Sequence, residues 1–272
     1  MSDLTQAIRD LVVANRILAH EGVVDAYGHI SMRHPNEPNR YLLSCSRSPE
    51  LVTVNDIMEF ELDGTPVRGD TRLPYVERHI HGGIYERRPD INSVVHSHAE
   101  DVLPFGIAPT PLRPVIHSGG FMGEAAPIWD IREKFGDTTL LVTNMDQGRD
   151  LAQSLGGGKV TLMRGHGFAA AGIALQDVVR ISVYLPKNAR VLQKALALGG
   201  VSYLSPGEIE KRLAINPVGM ESARAWEYWA IRAGVGKMVT LRAQSLAPAK
   251  AKPKSSPRRG RSPARSRKKT RR

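Results

Sequence analysis

Cysteine is nearly absent from this chain: Cys45 stands alone among 272 residues. That excludes an internal disulfide framework and fits a reducing compartment, so a cytoplasmic setting is expected. Long apolar runs are missing too. No stretch approaches the roughly 18 apolar residues of a membrane span, and none serves as a signal-peptide core. No internal repeat is evident. Acid is absent from one region, residues 247–272, which hold twelve Lys or Arg and no Asp or Glu. Those twelve account for the whole formal charge of +11: of 38 basic residues 26 remain elsewhere, against 27 acidic ones, a formal −1. The same segment mixes proline, serine and glycine with almost no apolar residues, so it cannot bury enough surface to offset the cost of ordering its backbone. A disordered basic arm is expected at 247–272, after a folded body at 1–246. Such an arm can bind nucleic acid non-specifically through counterion release, or be read as a nuclear signal.

At 272 residues with 41% hydrophobic content the chain can bury one substantial core, and neither figure requires a second domain. Apolar positions Leu4, Ile8, Leu11 and Val12 predict an opening helix. Short strands are expected at 30–33, 41–44, 57–62, 91–95, 137–143 and 160–163. Val76, Ile80 and Ile84 recur at helical spacing and predict an amphipathic helix over 73–85. A further amphipathic segment at 148–155 ends in Gly156-Gly157-Gly158, a helix stop rather than a phosphate loop. Residues 174–198 are helical in pattern, with a kink or break expected at Pro186, where an amide bond is lost. A last helical region is expected at 206–233; its Trp226 and Trp229 are read as packing or subunit contacts.

His96-Ser97-His98 closes the strand at 91–95. Residues two apart in a strand share a face, so His96 and His98 can chelate one ion. Gly165-His166-Gly167 follows the strand at 160–163, and its glycines let the backbone bend to bring a third imidazole close. Three protein ligands with a position left open is the catalytic arrangement for zinc-like ions. Glu77, just before the His strand, can sit above its carboxyl end; the plain alternative is a solvated carboxylate paired with Arg78 or a histidine. His20, His34, His79 and His81 are read as packing or hydrogen-bonding residues.

The ordered set Gly28-His29-Ile30-Ser31, Ile57 to Gly64, Glu77, Tyr85 to Asp90, Val94-Val95-His96-Ser97-His98 and Met163-Arg164-Gly165-His166-Gly167 resembles the class II aldolase/adducin family, over about residues 4–229. The resemblance implies an α/β fold, an α/β/α sandwich with a central, mostly antiparallel sheet. It also implies a homotetramer with active sites between subunits. It makes His96, His98 and His166 the ligands of one divalent ion, with Glu77 as the acid/base. The ion's identity stays open among zinc, manganese, iron and cobalt.

The departures from the sugar-phosphate branch matter as much. That branch usually has Gly-Asn-hydroxyl where this chain has Gly28-His29-Ile30-Ser31, Ser-Ser where it has Tyr75-Val76, and a Thr-Pro-Ser-Gly loop where it reads Leu43-Ser44-Cys45-Ser46-Arg47-Ser48-Pro49. The small donors that converge on phosphate are largely gone. Arg47 offers a planar fork for a carboxylate, with Ser46 and Tyr75 beside it as substrate-binding candidates. This variant resembles the decarboxylase branch, whose members act on dihydroxyphthalate-like aromatics or carboxylated hydroxymuconic semialdehydes in aromatic catabolism. A decarboxylase needs a general acid for the carbanion left by carbon dioxide, whereas a retro-aldolase needs a base. Glu77 can serve if a dry pocket raises its pKa. His29 is a further candidate, and so is His117, on a loop able to cross a subunit boundary; each also has a reading as a structural histidine. The expectation is therefore a metal-dependent carbon–carbon lyase acting on a small carboxylate. The alternatives are retro-aldol cleavage and, from another class, a non-catalytic adducin-like interaction module whose tail binds nucleic acid.

Overall fold

The computed structural model describes residues 3–239. Chain contacts divide the protein into Met1–Leu241 and Arg242–Arg272. The second unit, and with it the arm expected at 247–272, lies outside the described residues.

Seven strands form one sheet: β1 (His29–Arg33), β2 (Arg40–Ser44), β3 (Ile57–Glu61), β4 (Ser93–Ser97), β5 (Ile128–Trp129), β6 (Val160–Met163) and β7 (Gly167–Gly172), in the order β3-β2-β1-β4-β7-β6-β5. Every pairing is antiparallel except β5 with β6. Because strand side chains alternate, neighbouring residues feed different cores. Val95 and Leu42 pack with α1 (Leu4–His20), α5 (Leu175–Leu198) and α7 (Met220–Arg232) on one side. Val94, Tyr41 and Leu43 pack with α2 (Arg78–Arg87) and α4 (Met145–Leu155) on the other. The result is the expected α/β/α sandwich. Two shorter helices, α3 (Arg132–Phe135) and α6 (Pro206–Leu213), complete it. Among the described residues no helix is long and apolar enough to cross a membrane.

Local chemistry sets the helix ends. Asp3 caps α1 by accepting the Thr5 amide at 2.9 Å, and Asn144 caps α4 through the Gln147 amide at 3.0 Å. Within the second layer α2 and α4 touch backbone to backbone, since a Cβ on Gly148 would lie 2.1 Å from the carbonyl oxygen of His79.

Several elements differ from the sequence reading. The helix expected from residue 73 begins at Arg78, because Pro74 bridges to Cys45 and the Leu73 carbonyl accepts the Ser46 amide at 2.7 Å. Val76, assigned to the apolar face, is 54% exposed as a consequence. The strand expected at 137–143 does not form: Leu140 has φ 66°, outside extended geometry, and the edge strand is β5 instead. Helix α5 runs through Pro186 without a break. Leu185, Ala189 and Leu192 are fully buried around it, and at about 2 kcal/mol per buried leucine this packing offsets the roughly 3 kcal/mol proline penalty. The region expected at 206–233 is two helices, α6 and α7, divided by Pro217 and Gly219.

Candidate metal centre

The site forms where β4, the β6–β7 turn and the start of α2 meet on the α2/α4 side of the sheet. His96, at the end of β4, is fully buried. Its Nδ1 lies 3.1 Å from the Phe168 carbonyl oxygen. A carbonyl can only accept, so Nδ1 carries the proton and Nε2 is left with a lone pair. His98 follows the strand, with its Nδ1 3.2 and 3.1 Å from the two carboxylate oxygens of Asp25. Burial works to raise Asp25, but the amides of Tyr27 and Gly28, together with His98, outweigh it and hold the carboxyl below its ordinary range. Asp25 is thus an acceptor, and His98 also turns a bare Nε2 inward.

These two nitrogens are 2.9 Å apart. Two lone pairs at that distance repel unless a cation sits between them, so the donor set fits a metal ion. His166 joins them from the three-residue turn between β6 and β7. Gly165, at φ 65°, makes that turn. At Gly167 a Cβ would lie 2.1 Å from the Ser97 carbonyl oxygen, so only glycine lets the hairpin close against β4. The His166 ring stacks on His98 with centroids 5.1 Å apart.

Glu77 completes the cluster. It occupies the N-cap position of α2 without capping it; its Oε2 instead lies 3.4 Å from His96 Nε2 and 3.5 Å from His166 Nε2. Its Oε1 accepts the Val142 amide at 3.0 Å. One ligand atom from each of Glu77, His96, His98 and His166 lies within 4.8 Å of the others. Burial works to raise the Glu77 pKa, yet His96 and His166 outweigh it and hold the carboxyl far below its usual range. The expectation that a dry pocket raises Glu77 is therefore not met. This glutamate is an anion, suited to accepting a proton or approaching a cation rather than donating.

His29 pairs directly with His96 across β1 and β4, and the two rings are 5.2 Å apart. Burial, then His81 and His96, push its pKa well below the ordinary value, so it is neutral. Tyr75 packs its ring 4.5 Å from His29. Its hydroxyl donates to the Arg47 carbonyl and accepts from Ser44 Oγ at 3.3 Å, so its phenol is occupied and its bulk is what walls the site. The Arg47 guanidinium donates to the Leu51 carbonyl at 2.9 Å and pairs with Asp56 at 3.5 Å, engaged by its own loop. Ser46 is exposed beside it. His117 is not brought to the cluster within the chain. It lines a separate cavity of about 800 Å³ with Lys159, Arg180, Tyr184 and Arg212.

Sequence reasoning missed Asp25, the Phe168 carbonyl and the Val142 amide, which orient the ligands. It also gave His81 no place near the site, although His81 Nε2 is 2.7 Å from His29 Nδ1. Asp25, three residues before Gly28, carried only the signal of a turn.

Comparison with known proteins shows the family to which the chain belongs. The Class II Aldolase and Adducin N-terminal domain matches residues 9–192, and the chain belongs to that family. A curated relative, Decarboxylase tropJ of Talaromyces stipitatus, is 33% identical over 259 residues, covering 86% of this chain and 96% of that one. The 3,4-dihydroxyphthalate decarboxylase of Terrabacter sp. (strain DBF63) is 28% identical over 244 residues, covering 86% of this chain and 100% of that one. Among solved structures, an aldolase II superfamily protein from Pseudomonas syringae superposes with a TM-score of 0.72 at 21% identity, over 88% of this chain and 98% of that one.

Proposed function

We propose that this protein is a metal-dependent carbon–carbon lyase that decarboxylates a hydroxylated aromatic or ring-cleavage carboxylic acid. The observation that carries the reading is the facing pair of imidazole lone pairs at 2.9 Å, with His166 and an anionic Glu77 closing the set. The names of the relatives described above support decarboxylation over aldol cleavage, and so does the loss of a phosphate cradle at Ser46-Arg47.

His96, His98 and His166 would hold the divalent ion through Nε2, with Glu77 Oε2 beside them. Such an ion supplies electrophilic stabilisation of the electrons left when the carboxyl departs, and a template for substrate oxygens. Glu77, ionised, takes the proton of a substrate hydroxyl and, protonated by it, delivers a proton to the carbon that the departing carboxyl leaves, so that carbon dioxide is replaced by hydrogen. His29, neutral and walled by Tyr75, is the group in this chain placed to present an N–H to the substrate. Arg47 and Ser46 are proposed to meet a substrate carboxylate once Arg47 exchanges Asp56 for it. His117 is proposed to act from a neighbouring subunit of a homotetramer, since within its own chain it lines another cavity. The 247–272 arm is proposed as a non-specific nucleic-acid contact, checked by salt-dependent DNA retention that is lost when the chain is cut after Leu246.

The test is mass spectrometry of metal-loaded protein incubated with dihydroxyphthalates, carboxylated hydroxymuconic semialdehydes and aldol phosphates. Loss of carbon dioxide that is abolished by chelation supports the proposal. Cleavage of an aldol phosphate alone replaces it with the aldolase reading, and inertness toward all three favours an interaction module.

A further inference from the structure

Behind His29 runs a chain of buried polar groups that leads away from the metal centre. His29 Nδ1 is 2.7 Å from His81 Nε2, His81 Nδ1 is 2.6 Å from Ser31 Oγ, and Ser31 Oγ is 2.8 Å from the Tyr85 hydroxyl. All four residues are at most 1% exposed. Ser31 shares the face of β1 with His29, and His81 and Tyr85 lie one turn apart on α2, so sheet and helix fix the spacing.

Each link needs one donor and one acceptor, and a neutral imidazole supplies one of each. Burial, with His96 nearby, pushes His81 down to about 3, so it is neutral. Two proton orders satisfy every link with Ser31 donating once, while a third, in which Ser31 accepts from both His81 and Tyr85, leaves the buried Ser31 O–H with no acceptor among the described residues and bears the same penalty as any orphaned donor. In the first, Tyr85 donates to Ser31, Ser31 to His81 Nδ1, and His81 Nε2 to His29 Nδ1, which leaves the His29 proton on Nε2. In the second every arrow reverses, and His29 Nε2 is bare.

Tyr85 decides between them. In the reversed order the phenol accepts from Ser31 and must send its own proton elsewhere, and among the described residues Ser31 is the one acceptor at hydrogen-bond distance. The other neighbour acting on that oxygen is the main-chain N–H of Val94, itself a donor. A buried O–H with no acceptor bears its full desolvation penalty, so the first order wins.

We infer that Tyr85, Ser31 and His81 form a one-way hydrogen-bond chain that locks His29 in its Nε2–H tautomer, making it an obligate donor toward an anionic oxygen of the substrate. Nε2 has no hydrogen-bond partner among the described residues. The three residues behind it are positioning residues. The consequence for substrate choice rests on the lyase reading: a carboxylate or enolate oxygen is accepted at this position, and a group that can only donate is refused. The tautomer itself does not depend on that reading.

The test is long-range proton–nitrogen NMR of zinc-loaded, full-length protein labelled with ¹⁵N-histidine, with His29 assigned by its loss in His29→Asn. The expected wild-type spectrum shows His29 protonated at Nε2 and bare at Nδ1. Ser31→Ala and the nearly isosteric Tyr85→Phe should each turn the His29 signals into an average of two tautomers, with zinc content unchanged. A wild-type His29 protonated at Nδ1 overturns the inference, as do wild-type signals persisting in both variants. A correct tautomer in a protein that decarboxylates nothing sinks the lyase proposal alone, whereas decarboxylation with the opposite tautomer sinks this inference alone.

Discussion

Replacing Asp25 by Asn should weaken metal binding through a single misplaced proton. Asp25 Oδ1 accepts the amides of Tyr27 and Gly28 at 2.9 and 2.8 Å. In the variant that oxygen must stay on those amides, so the new NH₂ occupies the Oδ2 position, 3.1 Å from His98 Nδ1. Two donors then face one another, and the one acceptor left within reach, Oδ1 at 3.2 Å from His98 Nδ1, is already shared by the two amides. His98 relieves the clash by moving its proton to Nε2, the nitrogen that points at His96, and a protonated Nε2 is no longer a ligand. Losing such an orienting partner typically costs 10–100-fold in metal affinity, or about 1.4–2.8 kcal/mol. The Asp25 side chain is 49% exposed, so solvent screening places the effect toward the lower end, near tenfold. The assay is competition for zinc against a chromophoric chelator, with apo-protein melting as the control. The fold should be barely affected, because both amide contacts survive. Zinc affinity within about twofold of wild type would refute the reasoning, since it would mean that His98 needs no acceptor to hold its tautomer.

Gly167→Ala forces a methyl against the Ser97 carbonyl at 2.1 Å; β4 and β7 must part, with an expected loss of about 1–3 kcal/mol in urea unfolding together with a drop in bound zinc. Unchanged stability would show that the hairpin can slide. Acid should destabilise the fold through His29 and His81, whose folded pKa values lie below their unfolded ones because of burial. The unfolded chain takes up protons that the fold refuses, so stability is full above the ordinary histidine value of about 6.5 and falls as pH drops from there toward about 3. Urea midpoints equal at pH 7 and pH 5 would contradict this. Arg47→Ala should raise KM for a carboxylated substrate several-fold while leaving zinc content intact, because its guanidinium touches Asp56 and Leu51 and none of the metal-centre residues; an unchanged KM removes Arg47 from the site.

Much of the fold and the centre of the site could be read from the sequence. Short apolar and aromatic runs mark β2, β4 and β6, and the shared face of His96 and His98 at the end of β4 is a property of period two. Strand β7 leaves no such mark: Gly-Phe-Ala-Ala-Ala-Gly has no β-branched residue and only one aromatic, although it is buried at every position. The start of α2 was misplaced because Val76 matches a helical period that the Pro74 bridge to Cys45 overrides. Ligand residues could be named from their types, but their orienting partners could not. Asp25 is 73 residues from His98, and the Phe168 carbonyl is 72 from His96, and a main-chain oxygen has no sequence signature at all. The depressed Glu77 pKa reverses the expectation for a related reason: burial argues upward, and only the placement of His96 and His166 at 3.4 and 3.5 Å shows that burial is outweighed.

The proposed function requires that His96, His98, His166 and Glu77 hold a single ion and that carbon–carbon cleavage needs it. Its most direct test strips the protein with a chelator, returns zinc or manganese in sub-stoichiometric steps, and reads bound metal and carbon dioxide released from a dihydroxyphthalate in the same samples. Release that rises in proportion to bound metal and saturates at one ion per chain is the predicted result. Release that survives complete removal of the metal, or a chain that takes up no ion, would contradict it.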